Sequence, residues 1–121
     1  MKTVLTKNEF VSIVNSVGIA AREGEQYLED RRIFPKIAYW EYYWSDVMAS
    51  GDDYGTTVTY QVSFASRTPR HPKLLTLKKE FNSVGLHPKI SHEYIKGTDG
   101  PGWYHSYFAV DVEEELPDGE S

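Results

Sequence analysis

Cysteine is absent from this chain of 121 residues. Its absence excludes disulfide bonds, thiolate nucleophiles and cysteine-ligated metal sites, and it is typical of proteins that stay in a reducing compartment. Long apolar runs are missing as well, so no segment predicts a helix that spans a membrane. Residues 1–7 lack the apolar stretch of a signal peptide. We therefore expect a cytoplasmic protein with no membrane partner.

Basic charge is also in short supply, since 13 basic residues stand against 18 acidic ones. Six of the acids, and no base, lie from Asp111 onward, which leaves 12 acids among the preceding residues. A nucleic-acid-binding domain usually has a basic surplus on one face, so we predict no sequence-specific nucleic-acid partner. Residues 1–115 are predicted to form one α+β domain, and the acidic residues 116–121 a disordered, solvated tail.

Sequence motifs for catalysis are missing too. The chain has no Gly-x-Ser-x-Gly turn, and its glycines at 97, 100 and 102 lie between two predicted strands instead of before a helix. Adjacent acids such as Asp52 and Asp53 are usually solvated, whereas acid–base catalysis needs carboxylates that converge in a cleft. We therefore predict no enzyme, no catalytic residues and no cofactor.

Two histidines are the best candidates for a metal site. His92 and His105 lie on strands that are predicted to pair, and Glu93 or Asp111 would complete a ligand set. However, no histidine pair has helical spacing, and Glu93 points to the opposite sheet face from His92. We therefore predict no metal site and interpret both histidines as surface residues.

Hydrophobic periodicity predicts two helices and four strands. Thr6 and Glu9 have the spacing of a capping box at the start of the first helix, and Pro72 begins the second. Asn-Ser-Val-Gly occurs at both 15–18 and 82–85, which indicates the same helix stop used twice or an old duplication. The helices are predicted over residues 6–18 and 72–84, the strands at about 36–45, 57–64, 89–95 and 103–114, a linker with room for one helical turn at 19–34, and a polar loop at 46–55.

The order α-β-β-α-β-β predicts an α+β, two-layer domain with a mainly antiparallel sheet and both helices packed on one face. In the first strand, alternation places Tyr39 and Tyr43 on one face and Trp40, Tyr42 and Trp44 on the other. In the last strand, His105, Tyr107 and Asp111 are predicted to face outward. The predicted core contains Phe10, Val14, Val62, Phe64, Leu77, Phe81, Phe108 and Val110.

Two features suggest a binding surface. Residues 67–73 are the most basic stretch and precede the second helix, whose N-terminus favours a phosphate or an acidic neighbour; a solvated loop is the alternative. The aromatic residues exceed what one sheet face hides, which favours either a protein interface or simple coverage of the sheet. The candidate assembly surface consists of Trp44, Asp52, Asp53, Tyr54, Arg67, Arg70 and Tyr107.

A family resemblance rests on residues of about 35–115. It is carried by Pro35 with the strand Ile37-Ala38-Tyr39, by Asp53-Tyr54, by Tyr60-Gln61-Val62-Ser63-Phe64, and by the pair Ser91-His92-Glu93-Tyr94 and Trp103-Tyr104-His105-Ser106-Tyr107-Phe108. These patterns resemble the tail-terminator, or tail-to-head joining, proteins of long-tailed phages and prophages of Gram-positive bacteria.

The resemblance implies a non-enzymatic virion protein with an α+β fold. Such proteins form a ring of identical subunits, typically a hexamer, on the end of the tail tube. Their expected partners are the tail-tube protein and a head-completion or connector protein, first in the host cytoplasm and then in the virion tail. Two alternatives stay open: another neck or tail component, such as a head-completion or tube protein, and a small-ligand-binding α+β domain with a closed apolar pocket.

Overall fold

Residues 4–30, 32–48 and 54–114 are described by a computed structural model of the protein, and they form an α+β fold, as predicted. The helices are α1 (Lys7–Val14) and α2 (Pro72–Ser83), and a 3₁₀ helix spans Glu25–Glu29. The strands are β1 (Leu5–Thr6), β2 (Ala20–Glu23), β3 (Lys36–Met48), β4 (Tyr54–Ser66), β5 (Ser91–Ile95) and β6 (Trp103–Glu114).

All six strands of the described chain belong to one mixed sheet with the order β1-β6-β4-β3-β2, and β5 also pairs with β6. The pairs β3–β4, β4–β6 and β5–β6 are antiparallel, whereas β1–β6 and β2–β3 are parallel. Because β4 covers one edge of β6 from Tyr104 to Glu114, β5 and β1 share the other edge. The predicted order lacked β1 and β2, since two to four residues beside a long strand leave no periodic signal.

Both helix starts follow from local hydrogen bonding. The Thr6 Oγ1 accepts from the Glu9 amide at 3.2 Å, and Glu9 Oε1 accepts from the Thr6 amide at 2.9 Å, which is the predicted capping box. At α2, the ring Nδ1 of His71 accepts from the Lys73 amide at 3.0 Å. Beyond the helix ends, the glycines at 18 and 85 adopt φ of 81° and 90°, in the left-handed region that favours glycine.

Phe10 lies at the centre of the core. Its ring centroid is 4.8 Å from that of Tyr60, 5.4 Å from that of Tyr39 and 6.3 Å from that of Phe81. It therefore joins α1, the sheet and α2 in one cluster. The predicted core is confirmed, because all eight predicted residues are buried: Phe10, Val14, Val62, Phe64, Leu77, Phe81, Phe108 and Val110.

A β-bulge in β3 changes which way its aromatic side chains point. The register with β4 shifts between Glu41 and Tyr43, so that Trp44 pairs with Val58, on the same sheet face as Tyr39. The alternation predicted the opposite face for Trp44 and the face of Tyr39 for Tyr43, which pairs with Thr59. Both predictions were wrong, because one extra residue in a strand inverts the facing of every residue after it.

The polar loop predicted at 46–55 was too long. Strands β3 and β4 continue to a pairing of Met48 with Tyr54, so that only residues 49–53 separate them. Beyond Tyr39 no strand of the described chain pairs with the outer edge of β3. Because no further described strand covers this edge, polar residues can form the strand there. Asp52, Asp53 and the predicted tail 116–121 lie outside the described residues.

A small polar network fastens the start of α1 to the sheet. Lys7 Nζ donates to the Tyr60 hydroxyl at 2.6 Å and lies 3.7 Å from Glu23 and 4.0 Å from Glu114. Burial lowers the pKa of Lys7, but the Tyr60 hydrogen bond and the two carboxylates outweigh it and raise that pKa above 10.5. Burial also raises the pKa of Tyr60. The pair therefore stays as a charged amine and a neutral phenol.

Replacing Phe81 with alanine is expected to lower the free energy of unfolding by about 3–5 kcal/mol, because a fully buried ring between Phe10 and Phe108 is lost. Urea unfolding measures the loss. Leu75→Ala, on the exposed side of the same helix, is the control and should change stability by about 0.5 kcal/mol or less. A loss below about 1 kcal/mol for Phe81→Ala would show that α2 is not packed as described.

Replacing Lys7 with methionine is expected to cost about 1 kcal/mol at neutral pH through the lost charge-assisted hydrogen bond. Since the pKa of Lys7 is raised on folding, its contribution is complete below 10.5 and disappears as the pH rises through the higher folded value. Urea unfolding of both proteins at about pH 8 and about pH 11 should show the difference shrinking. An equal difference at both pH values would contradict the network.

Candidate functional site

A groove lies between the start of α2 and β5. It consists of two cavities of about 430 and 480 Å³, which are adjacent because Arg70, Leu74 and His92 line both. We call it the α2–β5 groove. Its further lining residues are Ser66, Thr68, Pro69, His71, Glu93, Tyr94, Tyr104 and Ser106 in the first cavity and Leu75, Lys78, Pro88 and Ile90 in the second.

The groove floor is the part of the sheet face that α2 leaves uncovered. His92 pairs with Ser106 in register, and the His92 Nδ1 and Ser106 Oγ are joined by a hydrogen bond of 2.7 Å. The next pair on the same face is Tyr94 with Tyr104, whose rings lie 5.1 Å apart. Strand alternation thus aims two aromatic rings and a histidine at the groove.

Arg70 closes the groove at the turn before α2. Its φ of 51° lies in the left-handed region, which costs a residue other than glycine roughly 1–2 kcal/mol. The Arg70 side chain is exposed and makes no hydrogen bond or ion pair within the described residues. The turn therefore presents beside the groove a cation that has no partner among the described residues.

Cationic and apolar groups dominate the chemistry of the groove. Arg70 and Lys78 are its basic residues, and Leu75 is 51% exposed there. Glu93 is its one acid, and its carboxylate is already bound by His105 on the opposite sheet face. The groove is suited to an acidic group attached to an apolar one.

A Glu–His–Ser line crosses the other sheet face. His105 Nδ1 lies 2.9 Å from Glu93 Oε1 and must donate to it, and the Nε2 lies 2.8 Å from Ser63 Oγ. This order matches that of a nucleophilic triad, but Ser63 is fully buried and lines none of the cavities described above. The line has no access to a substrate and is a structural hydrogen-bond chain.

The prediction that His105 is a surface residue was wrong, since it is only 8% exposed. Its ring lies between those of Trp103 and Tyr107, at 5.6 and 4.8 Å. His92 lies on the opposite face, so the two histidines cannot share a metal. No group of three metal-ligating side chains occurs in residues 4–30, 32–48 and 54–114.

Lys36 was missed by the sequence reasoning. It is fully buried on the His105 face, where its Nζ donates to the Asp30 carbonyl and lies 5.1 Å from the Phe34 ring centroid. Burial lowers the pKa of Lys36, and the nearby Asp30 partly opposes that effect. The one available sequence signal was strand alternation, which places Lys36 on the same face of β3 as Ala38. Lys36 holds the segment before β3 against the sheet.

Large side chains remain exposed where β3 passes the bulge. Tyr42, Tyr43 and Trp44 are 63%, 52% and 58% exposed, and the two tyrosine rings lie 5.5 Å apart. We call these three residues the aromatic arm. The adjacent edge of β3 is unpaired within the described chain, so backbone hydrogen-bonding groups and aromatic surface are available together.

The described residues of the predicted assembly surface lie in different parts of the fold. Trp44 belongs to the aromatic arm and Arg70 to the α2–β5 groove. Arg67 donates to the Pro101 carbonyl at 3.1 Å and lies 4.5 Å from the Phe34 ring centroid, which gives it a structural role. Tyr107 is half-buried on the His105 face. The backbone of Tyr54 pairs with Met48, while Asp52 and Asp53 fall outside the described residues.

Comparisons with known proteins give no identification: no family profile and no curated protein matches the chain. Neither α-helix in the described residues is long and apolar enough to cross a membrane. The function is therefore inferred from the geometry and from the resemblance stated above.

Replacing His105 with alanine is expected to destabilise the fold by about 2–4 kcal/mol, because a packed ring is lost and Ser63 and Glu93 lose a partner. Thermal or urea unfolding measures the effect, with His87→Ala at an exposed position as the control. A change below about 0.5 kcal/mol would contradict the structural role assigned to the line.

Proposed function

We propose that this chain is a non-enzymatic structural subunit of a phage virion, a tail terminator that forms a ring on the end of the tail tube. The observation that carries the proposal is the aromatic arm beside an unpaired strand edge. The resemblance of residues 35–115 to tail-terminator proteins supplies the particular role, and the arm is the surface through which we infer that subunits meet.

An exposed strand edge with large apolar side chains is a liability for a protein that works alone. Such edges template pairing with other chains, and proteins that stay monomeric usually cover or charge them. Tyrosine and tryptophan are also enriched in protein interfaces, where they contribute much of the binding free energy. Tyr42, Tyr43 and Trp44 thus favour a neighbour that covers this edge in the assembled state.

A ring follows if the arm contacts a different surface of the next subunit. Contacts between two unlike surfaces repeat from copy to copy and close into a ring when the rotation allows it. In this proposal the tail tube holds subunits close together and promotes closure through effective concentration. The further partner is a head-completion or connector protein, and the sites of action are the host cytoplasm during assembly and then the virion tail.

The α2–β5 groove favours a second candidate, a small-ligand-binding domain. Its cavities of about 430 and 480 Å³ fall within the volumes of ligand sites. However, Leu75 and Tyr94 in its walls are 51% and 53% exposed, so the groove does not enclose a small molecule. An extended peptide suits such an open channel better.

Replacing Tyr42 and Trp44 with serine is expected to weaken ring formation on purified tail tubes roughly thirtyfold, since the loss of one interface hot spot costs about 2 kcal/mol. The melting temperature should change little, because both side chains are exposed. Sedimentation of labelled protein with tubes measures the binding.

Glu41→Ser, an exposed and non-aromatic position on the same strand, is the matched control for this variant. Binding of the serine double variant at the wild-type level would contradict an assembly role for the arm. Binding of the wild-type protein along the whole tube, instead of at its end, would favour a tube subunit or another neck component over a terminator.

A further inference from the structure

We infer that the α2–β5 groove binds residues 115–121 of a second copy of this chain. The inference rests on the proposed function, because it names the contact that would link neighbouring subunits of the ring. Two observations carry it: the charge and apolar character of the groove, and the composition of the segment.

The groove and the segment are complementary in charge. Arg70 and Lys78 supply positive charge, and within the described chain Arg70 has no acidic partner. Residues 115–121 contain three acids and no base. Ion pairs formed in such a partly covered channel are screened less than those on an open surface.

The two are complementary in apolar character as well. The second cavity has a wall of Leu75, Pro88 and Ile90, and Leu75 is 51% exposed there. Leu116 and Pro117 follow the first acid of the segment directly. A short stretch that combines acids with a leucine and a proline fits a channel that has two cations and an apolar wall.

The segment begins at the end of β6, close to one end of the groove. Pro88 of the second cavity lines a further cavity together with Val110 and Asp111 of β6. The contact is inferred between copies because it joins neighbouring subunits of the proposed ring, and cysteine trapping within one chain separates it from a contact inside a single subunit.

The contact between copies joins two unlike surfaces, the end of β6 in one subunit and the start of α2 in the next. Such a head-to-tail contact is the type that closes into a ring. Two features of the chain then have separate roles. The groove sets the position of each subunit relative to the next, and the aromatic arm supplies apolar contact area.

Disulfide trapping tests the inference directly, because the chain has no cysteine of its own. One full-length protein carries Leu75→Cys and a second, with a mass tag, carries Leu116→Cys. The two are mixed on tail tubes and oxidised. A disulfide forms readily only when the two Cα atoms approach within about 7 Å, so we expect mixed dimers. Lys79→Cys, on α2 but outside the groove lining, replaces Leu75→Cys in the control and should give several-fold less.

Charge exchange gives an independent readout. Arg70→Glu with Lys78→Glu should weaken ring formation about tenfold, which is 1.4 kcal/mol at 25 °C. Glu115→Lys with Asp118→Lys should weaken ring formation by a similar factor. A chain that carries all four changes should recover ring formation. The control Lys79→Glu with Lys96→Glu makes the same charge change outside the groove.

The outcomes separate the inference from the proposed function. Rings that form without mixed disulfides above the control, or without recovery in the fourfold variant, overturn the inference and leave the proposed function standing. A disulfide within one chain, when both cysteines are placed in it, overturns the contact between copies. Trapping of the Leu75→Cys protein by cysteine-bearing tube protein instead of a second copy also overturns it. Failure of the wild-type chain to associate with itself or with tubes overturns both proposals.

Discussion

The packing of Phe10 is the contact on which the rest of the structure depends. Its ring touches Tyr39 and Tyr60 of the sheet and Phe81 of α2, so one side chain fixes both helices over the same region of the sheet. The helices are short, with 8 and 12 residues, and cannot cover strands of 12 or 13 residues. The groove and the arm are the two regions that this limited cover leaves open.

The other sheet face is closed by a different means. Small residues there, such as Ala38 and Ala65, leave little to bury, and a layer of Phe34, Trp103 and the buried Lys36 lies beside them. A buried lysine and histidine are acceptable because each has a hydrogen-bond partner. This face therefore contributes to stability through its own packed layer.

Much of the fold could be predicted from the sequence, because the local signals for several helices and strands agree with the tertiary structure. The capping box at Thr6 begins α1, Gly85 follows the end of α2, and the alternation of Val58 to Phe64 specifies β4. Gly18 predicted the end of α1 four residues too late, since the helix ends at Val14. The strands β1 and β2 could not be predicted, because they owe their conformation to a long neighbour and not to their own composition. The bulge at Glu41 and Tyr43 left no sequence signal, so the facing of Trp44 was wrong.

The candidate sites were less predictable than the fold. The basic stretch before α2 pointed to Arg70, but the apolar wall of the groove combines α2 with residues 88–90, a distant contact that periodicity does not report. Arg67 and Tyr107 looked equally available in the sequence, yet Arg67 donates to the Pro101 carbonyl and the Tyr107 ring packs beside that of His105. His105 was misjudged because the cover of the second face includes Phe34, which no local pattern links to it, beside the neighbouring Trp103 of the same strand.

The central claim is that the outer edge of β3 becomes an interface between subunits. Amide hydrogen exchange over residues 40–48, measured by mass spectrometry on the free protein and on the protein bound to tail tubes, tests it most directly. Edge amides that are unpaired in the free chain should exchange quickly there and become protected on the tubes. Equal exchange in both states, with the protein demonstrably bound, would contradict the account.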